Sequence, residues 1–377
     1  MEHNWIKTDS GRPVVGIGEL LWDVLPSGKQ LGGAPANFAC HVSQMGLDGV
    51  VVSAIGRDAL GDEALAALEG RGLRCRIARV AHPTGTVQVS LDAAGVPHYD
   101  ICTGVAWDNI PFTAELAALS ASARAVCFGS LAQRSPVSRD TIFRFLSATP
   151  ADCLKVFDIN LRQHFYSPEI LDRSLRLADI LKINDEEIHS LTSLLAPPAS
   201  PDTFISSSPA AFTSPAHPVS PASPSSPAAL TSPVHPVSPA SPSSPAAPAS
   251  PVSSALSVSQ VFPDSLSLPQ NSLAGSADLQ RLGWWIKKQF SLKMVVLTCG
   301  AEGSYVFHDG GVSFQSSPKV EVVDTVGAGD SFTAAFVASL LRGCSVSDAH
   351  RRASEVAAYV CTRPGATPPL PPSLLSS

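Results

Sequence analysis

The residue types best suited to chemistry lie together in Asp324-Thr325-Val326-Gly327-Ala328-Gly329-Asp330-Ser331-Phe332. This segment follows a strand-like stretch, Lys319–Val323, and opens a helix. Phe332, Phe336 and Leu340 share one apolar face of that helix, and Arg342-Gly343 closes it with a basic last turn and a C-terminal glycine. Gly327, Ala328 and Gly329 at a helix start leave their backbone N–H groups uncovered. With the positive end of the helix dipole these donors form an anion hole. Asp330 falls at the helix entrance, where a carboxylate would repel phosphate rather than bind it. It makes chemical sense as a base for an incoming hydroxyl. The plainer alternative, an N-cap on a tight glycine turn, is weakened by the nine-residue context between strand and helix.

A base and an anion hole need a scaffold, and the chain supplies an alternating one. Strand candidates are Val14–Gly18, Val50–Ile55, Ala125–Phe128, Lys155–Asp158, Ile180–Ile183 and Met294–Thr298, each rich in Val, Ile, Leu and Phe. Helical segments fall between them: Pro35–Gly46, Gly61–Glu69, Thr113–Ser120, Ser138–Leu146 and Ala277–Phe290. The alternation predicts an α/β fold with a mostly parallel sheet covered on both faces. Thr86–Asp92 and Val96–Cys102 flank Ala93-Ala94-Gly95 as a hairpin, which with Trp22–Leu31 predicts a small accessory sheet, or lid.

A second break is compositional. Between Thr203 and Pro263 there is no Asp, Glu, Lys or Arg, and an 18-residue Ser/Pro/Ala unit starting at Ser208 recurs from Ser226 with two substitutions. Prolines remove backbone donors and the unit has no apolar period, so a solenoid is excluded and a disordered insertion is expected. The expected organisation is one α/β domain made of residues 13–196 and 276–366, with lid strands within about 19–32 and 84–108. An insertion at 197–275 interrupts it, and a tail follows at 367–377.

The 377 residues are 44% hydrophobic, ample for a core, and the net charge of -6 offers no basic field for nucleic acid. The eight cysteines are scattered without a C-x-x-C pair, and no apolar stretch is long enough to span a membrane. A cytoplasmic protein is expected. No G-x-x-x-x-G-K-[ST] occurs, which excludes a standard P-loop. The histidines show no metal spacing; His41 and His308 read as packing or surface residues.

Asp324–Phe332 resembles the C-terminal signature of the ribokinase-like, or phosphofructokinase B, sugar kinases. Leu31-Gly32-Gly33-Ala34-Pro35-Ala36-Asn37, then Ala39, Gly46 and Ile55–Gly61, is similar to the family's first signature in order and spacing. Gly18–Pro26 resembles the opening strand of its bacterial fructokinase branch. Phe157–Arg162, Lys182–Glu187 and Thr298–Ser304 resemble the remaining landmarks. The resemblance implies a three-layer α/β/α fold with a small β-sheet lid, and transfer of phosphate from ATP to a sugar.

It also implies roles. Asp23 and Asn37 would hold sugar hydroxyls, with Gly33 letting the sugar approach the backbone. A strand-end carboxylate and a satisfied core amide are the alternatives for Asp23 and Asn37. Arg162 would clamp phosphate or a sugar hydroxyl, or be a surface arginine. Asn184 and Glu187 match an N-x-x-E motif that helps place Mg²⁺ through water, although Asp185 and Glu186 adjoin Glu187. Thr298, Gly300 and Gly303 would line the nucleotide. Asp324 and the Val326 carbonyl match positions that hold a monovalent cation, K⁺, in many relatives, with the other ligands near Thr362–Gly365. The opening strand favours D-fructose, whereas Gly104-Val105-Ala106-Trp107-Asp108 departs from the arginine-bearing stretch of many fructokinases. Ribose, 2-keto-3-deoxygluconate and a nucleoside stay open. Two rivals stand beside the kinase: a catalytically silent sugar-binding regulator, and a protein whose insertion is the functional element. Pairing of the lid with a second subunit, as in several relatives, would give a homodimer.

Overall fold

The computed structural model describes residues 11–25, 28–91, 97–195 and 274–375. In chain order the first piece contains β1 (Val14–Ile17), β2 (Leu21–Leu25), β3 (Gly28–Gly32), α1 (Ala34–Gln44), β4 (Gly49–Ile55), α2 (Ala59–Glu69), β5 (Arg74–Arg79), β6 (Gly85–Leu91) and β7 (Pro97–Ile101). It continues through α3 (Ala114–Ser122), β8 (Ala125–Phe128), α4 (Pro136–Ser147), β9 (Leu154–Asp158), α5 (Pro168–Leu177), β10 (Ile180–Asn184) and α6 (Asp185–Leu195). The second piece supplies α7 (Ala274–Gln289), β11 (Met294–Thr298), β12 (Ser304–His308), β13 (Gly311–Gln315), α8 (Ala328–Leu341), α9 (Val346–Cys361) and α10 (Pro372–Leu375).

The main sheet runs β13-β12-β11-β10-β9-β8-β1-β4-β5, parallel except for β12 and β13 at one edge. The two pieces share it: β10 pairs with β11 from Ile180↔Met294 to Asn184↔Thr298. Because strand side chains alternate between faces, Val14, Val156 and Met294 pack with Phe38 of α1, Phe336 of α8 and Val356 of α9. Their neighbours Val15, Phe157 and Val295 pack with residues of α3 to α7 on the other face. Strands covered on both sides need the continuous apolar runs that mark them in the sequence. This is the expected three-layer α/β/α fold.

The accessory sheet also forms, in the order β3-β2-β6-β7. Trp22, on β2, is buried against α2 and donates its indole N–H to the Leu60 carbonyl at 2.9 Å. The chain leaving β7 is fastened to the main body by Arg134. That guanidinium forms a two-pronged pair with Asp108 (2.8 and 3.0 Å), donates to the Cys102 carbonyl at 2.6 Å, and lies over the rings of Trp107 and Phe165.

Some elements differ from expectation. Lys319–Val323 is not a strand: Val322 and Val323 are 59% and 62% exposed, and Val323 and Asp324 both donate to the Cys361 carbonyl instead of a strand partner. β5 is not legible as a strand in the sequence because Arg74, Arg76 and Arg79 interrupt its apolar pattern, as suits an edge strand. α5, α6 and α9 add helices beyond the expected ones. The expected tail is partly docked: the Leu370 N–H donates to Gln44 at 2.8 Å and its side chain is buried. The turn at 92–96 and the insertion, apart from its last two positions in α7, lie outside the described residues. Among the described residues, no helix is long and apolar enough to cross a membrane.

The Arg134–Asp108 pair is 7% exposed on both sides. Removing one partner strands a buried charge, so Arg134→Ala should lose about 3–5 kcal/mol in urea unfolding. Asp108→Asn in the same background should recover part of that loss.

Candidate active site

Strand order reverses at β1, with β4 on one side and β8 on the other. At such a reversal, chains leaving the carboxyl ends of adjacent strands diverge and open a crevice. Glu19 follows β1, Asp158 ends β9, Asn184 ends β10 and Thr298 ends β11. The sequence landmarks therefore converge on one edge of the sheet.

α8 enters from above this edge. Its N-cap, Gly327, has φ +78, and a β-carbon there would sit 2.3 Å from the Ala366 carbonyl, so both conformation and space require glycine. The Ala328 N–H donates to the Thr325 carbonyl at 3.2 Å, and the first helical bond returns from Ser331 to Gly327 at 2.8 Å. Among the described residues, the N–H groups of Gly327, Gly329 and Asp330 meet no protein acceptor. The uncovered donors are thus these three, and not the Gly327-Ala328-Gly329 trio expected from the sequence. The turn closed by Thr325 consumes the Ala328 donor.

Asp330 occupies the third helical position. Burial pushes its carboxyl up to about 6, and the negative charge of Asp158 adds to the rise. The Asn37 bond, at 2.8 Å from Nδ2 to Oδ2, and the charges of Lys182 and Arg162 oppose it. Asn37 is presented by α1, whose N-cap Gly33 has φ +120. A β-carbon at Gly33 would lie 2.3 Å from the Glu19 carbonyl, so the space its missing side chain leaves is taken by protein backbone. Asp23 sits half-buried on β2, where burial raises its carboxyl, and Gly32 leaves room for it.

Glu187 is the buried member of its acidic triplet; Glu186 is exposed and Asp185 half-buried. Asn184 and Glu187 form a reciprocal cap on α6: Glu187 N–H donates to Asn184 Oδ1 at 2.7 Å, and Asn184 N–H to Glu187 Oε2 at 3.1 Å. Oε1 accepts from Leu161 N–H at 2.9 Å, tying the loop after β9 to this cap. In that loop Asn160 and Gln163 have φ of 41 and 49, strained for residues with side chains. Arg162 lies exposed between them, its guanidinium on the Leu161 carbonyl and Asn160 Oδ1. Its charge nevertheless acts on both Glu19 and Asp330.

Thr298 stands beside Asn184 through strand register. Gly300 (φ +51) has open space around it, whereas Gly303 (φ +127) is pressed against the Gln315 carbonyl, 2.2 Å from its notional β-carbon. Asp324 accepts from Val326 N–H and Gly365 N–H, each at 3.0 Å, which brings Asp324 and Val326 against the Thr362–Gly365 stretch. Among the described residues, no cluster of three or more His, Cys, Asp or Glu could hold a metal.

Three further charged residues, Glu19, Asp158 and Lys182, belong to this edge although the sequence does not single them out as sites. Glu19 is 5% exposed, and burial lifts its carboxyl to about 7; its own N–H and that of Ala34 lower it, and Asp330 raises it. Asp158 and Lys182 are buried below α8. Their signal in the sequence is a charge at or near the end of an apolar strand, inside segments that resemble the family's landmarks.

The pfkB family of carbohydrate kinases matches residues 24–203 and 268–373. The chain belongs to that family. Among its relatives, a sugar kinase of Pyrococcus horikoshii is 29% identical over 194 residues, covering 46% of this chain and 62% of the archaeal one. A fructokinase of Klebsiella pneumoniae is 30% identical over 186 residues, covering 46% and 60%. The aligned segments thus span under two thirds of those relatives. In structure, the fructokinase of Xylella fastidiosa with bound ATP superposes with a TM-score of 0.65 at 19% identity, covering 94% of this chain and 93% of that one. The fructokinase of Vibrio cholerae in its fructose, ADP and calcium form gives 0.64 at 19% identity, covering 97% and 98%. These last two likenesses show the fold.

In this pfkB-family chain the raised Asp330 carries a stability cost. An acid whose folded value lies near 6 and whose ordinary value is 3.8 destabilises the fold as pH rises between them, and the deficit persists above. Asp330→Asn should therefore be more stable than the parent at pH 8, by about 3 kcal/mol, and unfold at a higher temperature. The gap should close toward pH 4 in thermal scans.

Proposed function

We propose that this protein is an ATP-dependent kinase of a sugar's primary hydroxyl, with D-fructose as the substrate and fructose 6-phosphate as the product. One observation carries the reading: a half-buried carboxylate raised to about 6, Asp330, sits at a helix entrance beside three unclaimed backbone N–H groups. A base whose carboxyl is raised toward neutrality accepts a hydroxyl proton more readily than an ordinary aspartate, and remains ionised at pH 7 to 8. Family membership and the fructokinase neighbours, solved with ATP or with fructose and ADP, support the same assignment.

In the mechanism we assign, Asp23 and Asn37 hold the sugar beneath the lid, with Arg162 at the rim. The sugar oxygen attacks the terminal phosphorus of ATP, its proton passes to Asp330, and the bond to the departing ADP oxygen breaks. The N–H groups of Gly327, Gly329 and Asp330 stabilise charge on the transferring group. Thr298, Gly300 and Gly303 receive the nucleotide. Glu187 already accepts two N–H bonds, so its fit is to a magnesium ion that keeps its waters and travels with ATP. Bound there, Mg²⁺ would neutralise phosphate charge. Asp324 and the Val326 carbonyl are our candidates for a K⁺ site, and a V. cholerae fructokinase variant was solved with potassium. We read residues 13–196 and 276–366 as the kinase domain, and pairing through the lid as the route to a dimer.

The sugar is the finer part of the assignment. A neighbour from Salmonella enterica was solved with aminoimidazole riboside, so the panel must include ribosides. A coupled ADP-release assay over fructose, ribose, 2-keto-3-deoxygluconate and nucleosides, with and without potassium, should show turnover highest on fructose. Asp330→Asn should lower the rate about 10²–10⁴-fold while leaving sugar and ATP binding measurable by calorimetry. Near-parental turnover in that variant would remove Asp330 from its role. Sugar binding without ADP release in the parent would favour the silent regulator.

A further inference from the structure

Beneath the entrance of α8 lies a set of buried charges that the mechanism above does not use. Asp158 and Lys182 have side chains only 5% and 7% exposed, and the ammonium lies 3.4 Å from Asp158 Oδ1. That oxygen has no hydrogen-bond partner, so the contact is ionic. The other carboxylate oxygen accepts from Thr333 Oγ1 at 3.0 Å, and Thr333 stands one turn after Asp330 on α8. Lys182 also reaches the backbone: its Nζ is 3.0 Å from where a β-carbon on Gly329 would stand. Glycine at 329 thus leaves room for the ammonium against the first turn of α8.

We propose that the buried Asp158–Lys182 pair, clamped to α8 through Thr333, is a positioning device that sets how readily Asp330 accepts a proton. Asp158 and Lys182 act through Asp330 and are positioning residues. Burying two charges is costly, and the pair would be replaceable by apolar residues if its sole task were stability. Its placement gives it another. Asp158 presents a like charge to Asp330, and Lys182 an opposite one. The other groups facing Asp330 are Glu19 after β1, Asn37 on α1 and Arg162 in the loop after β9. Behind Lys182 stands Glu187 of α6, and the buried thiol of Cys127 on β8 shares the same field. Arg162 adds to the effect of Lys182, whereas Glu19, whose carboxyl lies higher, takes its like-charge shift from Asp330. Of the charged groups just named, Asp158 is hydrogen-bonded to α8 and Lys182 is packed against its first turn, so this pair couples the charge balance to the position of the helix entrance.

The inference rests on Asp330 being the base, and the test separates the two ideas. The pH profile of kcat/KM for fructose should have an acidic limb near 6 in the parent. Asp158→Asn, which keeps an acceptor for Thr333, should move that limb down by about one pH unit, because it removes a like charge and frees Lys182 to favour ionised Asp330. Lys182→Met should move it up by about as much, and the double variant should return close to the parent. Simple structural damage would not produce opposite displacements that cancel. If one single variant fails to fold, the other still predicts a direction of its own.

In parallel, carboxyl carbon NMR of ¹³C-aspartate protein, with Asp330 assigned by its loss in Asp330→Asn, reads the same midpoints without sugar or ATP. Midpoints that shift as stated in a protein that phosphorylates nothing would uphold the pair's role and sink the kinase reading. Turnover in the parent with an Asp330 midpoint unmoved in the folded variants, or moved in the reverse directions, would overturn the pair's role.

Discussion

The desolvation of one carboxylate organises the rest of this structure. Asp330 sits half-buried at the amino end of α8, where the helix dipole favours its charge but loss of solvent and the neighbouring Asp158 oppose it. A group so placed must be fixed from several directions, and here it is. Asn37 reaches it from α1, Lys182 lies beneath the same turn from β10, and Gly327 makes the chain bend that aims it. Each depends on a different element, so the site exists only when the whole sheet has assembled.

The sheet accounts for that dependence. Because strand order reverses at β1, segments that follow β1, β9, β10 and β11 face one crevice although they are up to about 280 residues apart in sequence. The β10–β11 pairing joins residues on either side of the Ser/Pro/Ala-rich stretch, in continuous register from Ile180 to Asn184. A long connection between strands adds little closure cost once its length is already large. The chain can therefore carry such a stretch at that point without disturbing the register that places Asn184 beside Thr298.

The lid answers to a separate constraint. Beside the stretch Gly104–Asp108, Arg134 arrives from the turn after β8 and fills the space between Trp107, Phe165 and Asp108. Its two-pronged bond to Asp108 and its donation to the Cys102 carbonyl anchor the chain that leaves β7. A guanidinium is suited to this work because it is planar and stays charged when buried. The connection between lid and body is consequently stiff at this end, a property that reading the lid strands alone would not reveal.

Much was legible in the residues themselves. Runs such as Ala125–Phe128 and Met294–Thr298 match their strands end for end, because burial on both faces demands unbroken apolar sequence. The Gly327–Asp330 turn was legible because glycine is needed where φ is positive and an adjacent backbone crowds in. Lys319–Val323 misled because its valines mimic a strand, while only the fold could show that no partner strand lies beside them. What the sequence by itself determined is the strands buried on both faces, the helices between them and the presence of one acid at a glycine-lined helix start. Tertiary structure alone decided which N–H groups remain open, that Asn37 bonds to Asp330, and that Glu19, Asp158 and Lys182 surround it. Charges act through space, and their neighbours in space lie far away along the chain.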